Sequence, residues 1–129
     1  MTLVELVIVL AIVAILARVA LPSWNSQVQK MRRADARDTL ILVQVEQVKY
    51  RADNGRYAPS MSALGLGTYN SSARDYYNVS IVSSSATTFV ANAAPNANRG
   101  QDNDPCGTFA VDQSGPNESG VYAPISECW

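Results

Sequence analysis

The sequence predicts an α+β protein in which one long N-terminal helix packs, through its C-terminal half, on an antiparallel sheet of about four strands. Three observations predict this fold: an apolar run opens the chain, helical spacing of apolar residues continues to about residue 53, and short alternating segments follow. The 129 residues have room for one compact domain and one long projecting element. A two-domain enzyme is therefore not expected.

The apolar run covers residues 3–21, where nearly every residue is Leu, Ile, Val or Ala and only Glu5 and Arg18 carry charge. A helix of this length spans the hydrocarbon core of a bilayer. A secretory signal would begin with basic residues and end at a small-residue cleavage site, whereas this run begins at once and continues into an amphipathic helix. We therefore interpret it as a retained membrane anchor. The alternative, a core helix of a soluble protein, is disfavoured because so small a domain could not cover it on all sides.

Glu5 lies among Leu and Val residues, where a carboxylate costs free energy of desolvation unless it is paired or reaches an interface. The amino group of Met1 is a suitable cation, but within one straight helix it is a poor partner. The amine of a neighbouring copy is a better one, so Glu5 is predicted to be an assembly residue. The alternative is an acid that favours the positive end of the helix dipole, worth about 0.3–1 kcal/mol.

Pro22 and Arg18 bear on the end of the apolar run. Pro22 lacks an N–H and crowds the preceding turn, so the helix is predicted to kink or open locally just before it. The Arg18 side chain can reach a carboxylate or a loosened carbonyl in an assembly of copies, or extend to the membrane surface. Residues 1–22 are thus assigned to a helix that serves as a membrane anchor or as the core of such an assembly.

Residues 23–54 are predicted to continue the helix in amphipathic form, ending at the left-handed cap that Asn54 and Gly55 supply. Its second half is predicted to bury an apolar face on the sheet. The mixed charges of residues 30–38 indicate a solvated helix face or, alternatively, pairing between subunits. Apolar residues recur at helical spacing in two sets: Trp24, Val28 and Met31, then Ile41, Val45, Val48 and Ala52.

Residues 55–129 are predicted to form a globular head. It begins with a surface loop over residues 58–75, which are rich in Ser, Gly, Ala and Asn. Strands are predicted near residues 77–81, 87–93 and 108–112, with a last one at residues 121–122. Cys106 and Cys128 bracket the C-terminal segment, and an exported chain with two cysteines most simply forms one bridge, here closing the loop 106–128.

The chain has no His, the commonest general base and metal ligand, so no catalytic site, cofactor or metal site is predicted. The sequence Asp102-Asn103-Asp104 is the one cluster that suggests calcium. It lacks the spaced acids and terminal Glu of a calcium loop, so a polar turn is the better interpretation. The net charge of −1 gives no general basic field for nucleic acid, and a charged partner must meet a local patch.

The N-terminal sequence Thr2-Leu3-Val4-Glu5-Leu6, the apolar stretch after it and Leu21-Pro22-Ser23 resemble the mature N-terminus of type IV pilins. Residues 54–57, Asn-Gly-Arg-Tyr, also resemble pilins. The resemblance implies that a prepilin peptidase removes a short leader, that the new first residue, here Met1, is N-methylated, and that Glu5 is needed for assembly. The sequence departs from the family pattern at Met1, where Phe is usual, at Ala14, where Gly is common, and at Arg18, where a small apolar residue is usual.

This resemblance implies a structural filament subunit rather than an enzyme. Before assembly the subunit would lie in the lipid of the bacterial inner membrane, and afterwards in an extracellular homo-oligomeric pilus on the cell surface. Separate ATP-driven assembly machinery would add and remove it. Adhesion, twitching motility and DNA uptake would be properties of the polymer, with a surface or DNA as ligand. The alternative is a minor pilin or a type II secretion pseudopilin.

Overall fold

The structure, a computed structural model, describes residues 2–67, 72 and 74–129, with the backbone alone for residues 21–23. The chain divides into two compact units, Met1–Met31 and Arg32–Trp129. Helix α1 (Leu3–Asn54) includes residues 3–31 of the first unit and residues 32–54 of the second. The helix is continuous through residues 18–23, so the local opening predicted just before Pro22 is not observed, and a kink there remains a prediction.

The second unit, which we call the head, adds a four-stranded antiparallel sheet to the C-terminal part of α1. This confirms the predicted α+β fold. The strands lie in sequence order, and β1 is paired over most of its length with β2. The elements after α1 are β1 (Tyr77–Ser84), β2 (Phe89–Pro95), a 3-10 turn (Ala97–Arg99), β3 (Phe109–Asp112), β4 (Gly115–Pro116) and a short helix α2 (Ile125–Cys128).

The fourth strand lies at Gly115–Pro116, and the prediction of a strand at residues 121–122 was wrong. Asp112 pairs with Gly115 across a two-residue turn, and the Asp112 side chain accepts a hydrogen bond of 2.7 Å from the backbone N–H of Ser114. Such an aspartate-stabilised turn reverses the chain at once. The edge position beside β3 is therefore filled before residues 121–122 are reached.

The head core lies between α1 and the sheet. From α1 come Ala36, Leu40 and Val43, spaced four and three residues apart so that they share one helix face, and all are fully buried. The inward residues of the strands meet this face. They are Tyr77 and Val79 on β1, Phe89, Ala91 and Ala93 on β2, and Phe109 and Val111 on β3.

The second half of α1 buries an apolar face on the sheet, as predicted, but Ile41, Val45 and Val48 lie outside that face, with about half of each side chain exposed. Ala52, the last member of that set, is exposed as well. The buried face instead continues from Val43 to Gln47, whose amide donates to the carbonyl of Ala58 at 3.1 Å and accepts from its N–H at 2.8 Å. A polar residue thus occupies a core position while apolar residues lie outside.

The end of α1 is as predicted. Gly55 has a φ of 71° and its N–H donates to the carbonyl of Arg51 at 2.8 Å, which is the left-handed cap expected from Asn54 and Gly55. Gln47 then fixes the chain that leaves this cap by its two bonds to Ala58. The loop that follows is thereby tied to the helix before the sheet begins.

Candidate assembly and binding surfaces

The apolar part of α1 is uncovered. Every described side chain from Thr2 to Ala20 is exposed, including large apolar ones such as Leu3, Ile8 and Leu16. By length and composition this is the one helix among the described residues that could cross a membrane. Burying side chains of this kind is worth about 1.5–3 kcal/mol each, so water is an unfavourable environment for this surface.

Glu5 lies in the first turn of this helix, next to Thr2. The backbone N–H of Thr2 donates to Oε2 of Glu5 at 3.4 Å, and the backbone N–H of Glu5 donates to Oγ1 of Thr2 at 3.3 Å. This reciprocal pair is a capping box, which satisfies two of the N–H groups that a helix start leaves unpaired. The prediction for Glu5 named only the amine of another copy, although the sequence Thr-x-x-Glu at residues 2–5 is the pattern of a capping box.

The other predicted assembly residues lie in the same unit. Arg18 is exposed, and no hydrogen bond or ion pair of its guanidinium is found among the described residues. Met1, as N-methylation site and as the amine partner of Glu5, lies outside the described residues, and so does the Pro22 side chain. Their roles in assembly remain predictions.

The predicted disulfide is confirmed. Cys106 and Cys128 are bridged, with their Cα atoms 5.8 Å apart, and both are buried. The ring of Trp129, next to the second cysteine, packs edge-on against Phe109 with 5.5 Å between centroids. The bridge therefore joins the C-terminal segment to the core beneath β3.

An ion pair that the sequence did not reveal connects α1 to this disulfide. The Arg33 guanidinium donates from Nη2 to Oδ1 of Asp104 at 2.6 Å and from Nε to Oδ2 at 2.9 Å. The Asp104 side chain is fully buried, and that of Arg33 is 12% exposed. Asp104 also accepts from the backbone N–H of Cys106 at 3.0 Å. Helix and disulfide loop are therefore held together by one carboxylate.

Two buried polar side chains complete the set around Asp104. The Tyr77 hydroxyl donates to Oδ2 at 3.1 Å and the Gln101 amide donates to the same oxygen at 2.8 Å. Burial raises the pKa of Asp104, but the hydrogen bonds from Arg33, Cys106 and Tyr77 outweigh it, so its pKa lies below the ordinary value. For Tyr77, burial is the main cause of a raised pKa. Asp104 is charged and Tyr77 neutral at physiological pH.

These bonds bear on the calcium interpretation of residues 102–104. Both Asp104 oxygens already accept hydrogen bonds, and the Arg33 guanidinium supplies the positive charge that a cation would supply. A calcium ion would have to displace Arg33 from a buried position. The arrangement favours the polar turn.

Arg32, Tyr76 and Arg99 form a second group of polar contacts in the head, which we call the arginine–tyrosine cluster. The Arg32 guanidinium lies 4.4 Å from the centre of the Tyr76 ring and donates to the carbonyl of Arg99 at 3.3 Å. Arg99 in turn pairs with Asp75 at 3.2 Å. These residues come from α1, from the segment before β1 and from the turn after β2, so sequence spacing gave no sign of the cluster.

A family model and a solved structure are similar to this chain. A family model described as type IV minor pilin ComP, DNA uptake sequence receptor, matches residues 22–110. The solved high-resolution structure of a type IV pilin from Shewanella oneidensis is 25% identical, covers 78% of this chain and 97% of its own, and superposes with a TM-score of 0.56. No curated protein matches the chain.

Proposed function

Because the chain belongs to the type IV minor pilin ComP family, we propose that it is a pilus subunit whose apolar helix serves first as membrane anchor and then as part of a filament core. The observation that carries this proposal is the uncovered surface of α1 from Leu3 to Val19. These side chains are exposed in the part of the chain that the structure describes, so lipid before assembly and the helices of other copies afterwards are favourable surroundings for them.

Two further features of α1 support assembly. Glu5 needs a cation in an apolar environment, and the N-terminal amine of a neighbouring copy would supply it. The exposed apolar face formed by Ile41, Val45 and Val48 lies on the same helix, and it gives neighbouring copies a second surface to bury. The head itself does not use this face, since its core is built on Ala36, Leu40 and Val43.

The experiment is removal of the Glu5 charge in cells that assemble filaments. Glu5→Gln is expected to leave the subunit in the inner membrane at its normal level and to abolish or strongly reduce sheared filaments, measured by immunoblot and electron microscopy. Asp53→Asn is a matched control, because Asp53 is an exposed acid near the other end of the same helix. Normal filament yield from Glu5→Gln would refute the pairing.

A second candidate function is presentation of DNA-binding heads as a minor pilin, and the arginine–tyrosine cluster favours it. Guanidinium groups bind phosphates, and the Tyr76 ring beneath Arg32 holds one guanidinium in place. The head contains more acidic than basic residues, so binding would depend on this local patch. The family model's description as a DNA uptake sequence receptor points the same way.

This candidate is tested by binding of labelled double-stranded DNA to the subunit in detergent micelles. Arg32→Gln should weaken binding and lower its salt dependence, because one phosphate contact is lost. Arg56→Gln is the control, since Arg56 is exposed but lies outside the cluster. Equal effects of both substitutions would contradict a site at the cluster.

The abundance of the subunit along purified filaments separates a major pilin from a minor one.

A further inference from the structure

The capping box at the start of α1 uses only part of the Glu5 carboxylate. Oε2 accepts the N–H of Thr2, while Oε1 has no donor among the described residues. Each carboxylate oxygen can accept hydrogen bonds, so Oε1 remains available to a cation from outside the chain. The contact with Thr2 therefore leaves Glu5 able to bind a further partner.

The same contact restricts the Glu5 side chain. A free glutamate samples many rotamers, and ordering it on binding costs conformational entropy. Here the bond to the Thr2 N–H ties the carboxylate to the helix start, and the Thr2 hydroxyl holds that turn closed through the Glu5 N–H. The carboxylate is thus already ordered before any neighbour arrives, which lowers the cost of pairing.

We propose that Thr2 is a positioning residue for assembly: its capping box with Glu5 holds one carboxylate oxygen to the helix start and presents the other to the amine of a neighbouring copy. This inference rests on the proposed pairing of Glu5. It assigns Thr2 a role that acts through Glu5 and not through contact with the neighbour. A hydroxyl is required at position 2, and the methyl group of Thr2 is not.

The first test measures the cap without assembly. Thr2→Val keeps the shape of the side chain but removes the hydroxyl, and Thr2→Ser keeps the hydroxyl. In full-length subunits in detergent micelles, hydrogen exchange of the Glu5 amide should be about fivefold faster in Thr2→Val, as expected for loss of a typical N-cap, and unchanged in Thr2→Ser. Equal exchange in Thr2→Val and the unchanged protein would overturn the proposal.

The second test measures assembly under an inducible promoter. Thr2→Val should need about fivefold more subunit in the membrane before sheared filaments appear, and Thr2→Ser should assemble at the normal level. Mass spectrometry of the membrane-bound subunits verifies that processing is equal. A normal threshold for Thr2→Val overturns the positioning role alone. Normal assembly of Glu5→Gln overturns the pairing itself, so the two failures are distinguishable.

Discussion

Replacing Arg33 with Met should strongly destabilise the head, because it leaves a buried carboxylate without its cation. Asp104 would lose three contacts of 2.6 to 3.1 Å to the guanidinium and keep only its bonds from Tyr77, Gln101 and Cys106. Breaking a buried ion pair costs about 3–5 kcal/mol. Since Arg33 is 12% exposed, we expect the lower end, about 3 kcal/mol.

The control is an ion pair of the same length on the surface. Lys49 and Glu46 also lie 2.6 Å apart, but the lysine side chain is 63% exposed and the glutamate 26%. Lys49→Met should cost less than about 0.5 kcal/mol, because an exposed pair is solvated with or without its partner. Because the two pairs have the same shortest distance, a larger loss for Arg33→Met reports the burial of its pair together with its additional contacts.

The assay is urea unfolding of the full chain in detergent micelles, followed by Trp129 fluorescence in a Trp24→Phe background. Trp129 packs on Phe109 in the head, so its emission reports head unfolding. In thermal scans the Arg33→Met head should melt roughly 12 °C lower, as expected for a unit of this size. The double variant Arg33→Met, Asp104→Asn should recover part of the loss. Similar losses for Arg33→Met and Lys49→Met would refute the reasoning.

Three further outcomes are expected. Acid should lower the free energy of unfolding of the head, because folding lowers the pKa of Asp104. The stability that Asp104 contributes is fully present above the unfolded pKa of 3.8, and it is lost as the pH falls through the lower pKa of the folded state. Urea titrations on both sides of that pH should show a smaller loss for Asp104→Asn than for the unchanged protein. Replacing Cys106 and Cys128 with Ser should lower head stability by about 3 kcal/mol in the same assay while far-ultraviolet circular dichroism still reports the apolar helix. Val45→Asp should reduce filament yield but change head stability by less than about 0.5 kcal/mol, because Val45 is half exposed and outside the core; a destabilised head would contradict this.

The fold was predictable where a local pattern decides the structure. Residues 3–21 can only be helix in an apolar environment, Gly55 provides the left-handed residue that ends α1, and two cysteines allow only one pairing within the chain. The buried face of α1 was not predictable by apolar periodicity. Both faces carry aliphatic residues, and the core face includes Gln47, whose bonds to Ala58 depend on where the chain runs after the helix.

The polar contacts of the head escaped prediction for a related reason. Arg33 and Asp104 are 71 positions apart, and neither has a neighbour in sequence that marks it as buried. The sequence predicts only that Asp104 belongs to a polar turn, and its contact with the Arg33 guanidinium depends on the fold. The predicted assembly role of Glu5 has a different basis, because an acid in an apolar helix is costly in any fold. Its partner amine would belong to another molecule.

The register shift in β1 between Ile81 and Ser83 affects how the sheets of neighbouring heads could pair. Residues 81 and 83 pair with neighbouring residues of β2, Ala91 and Val90, so Val82 is an extra residue that bends the outer strand of the sheet. Packed side by side along a fibre, many identical domains would otherwise offer one another straight, unpaired strand edges, the geometry from which amyloid grows. The bent edge strand would make such stacking unfavourable, so in the proposed filament the copies would associate through their helices and not through their sheets.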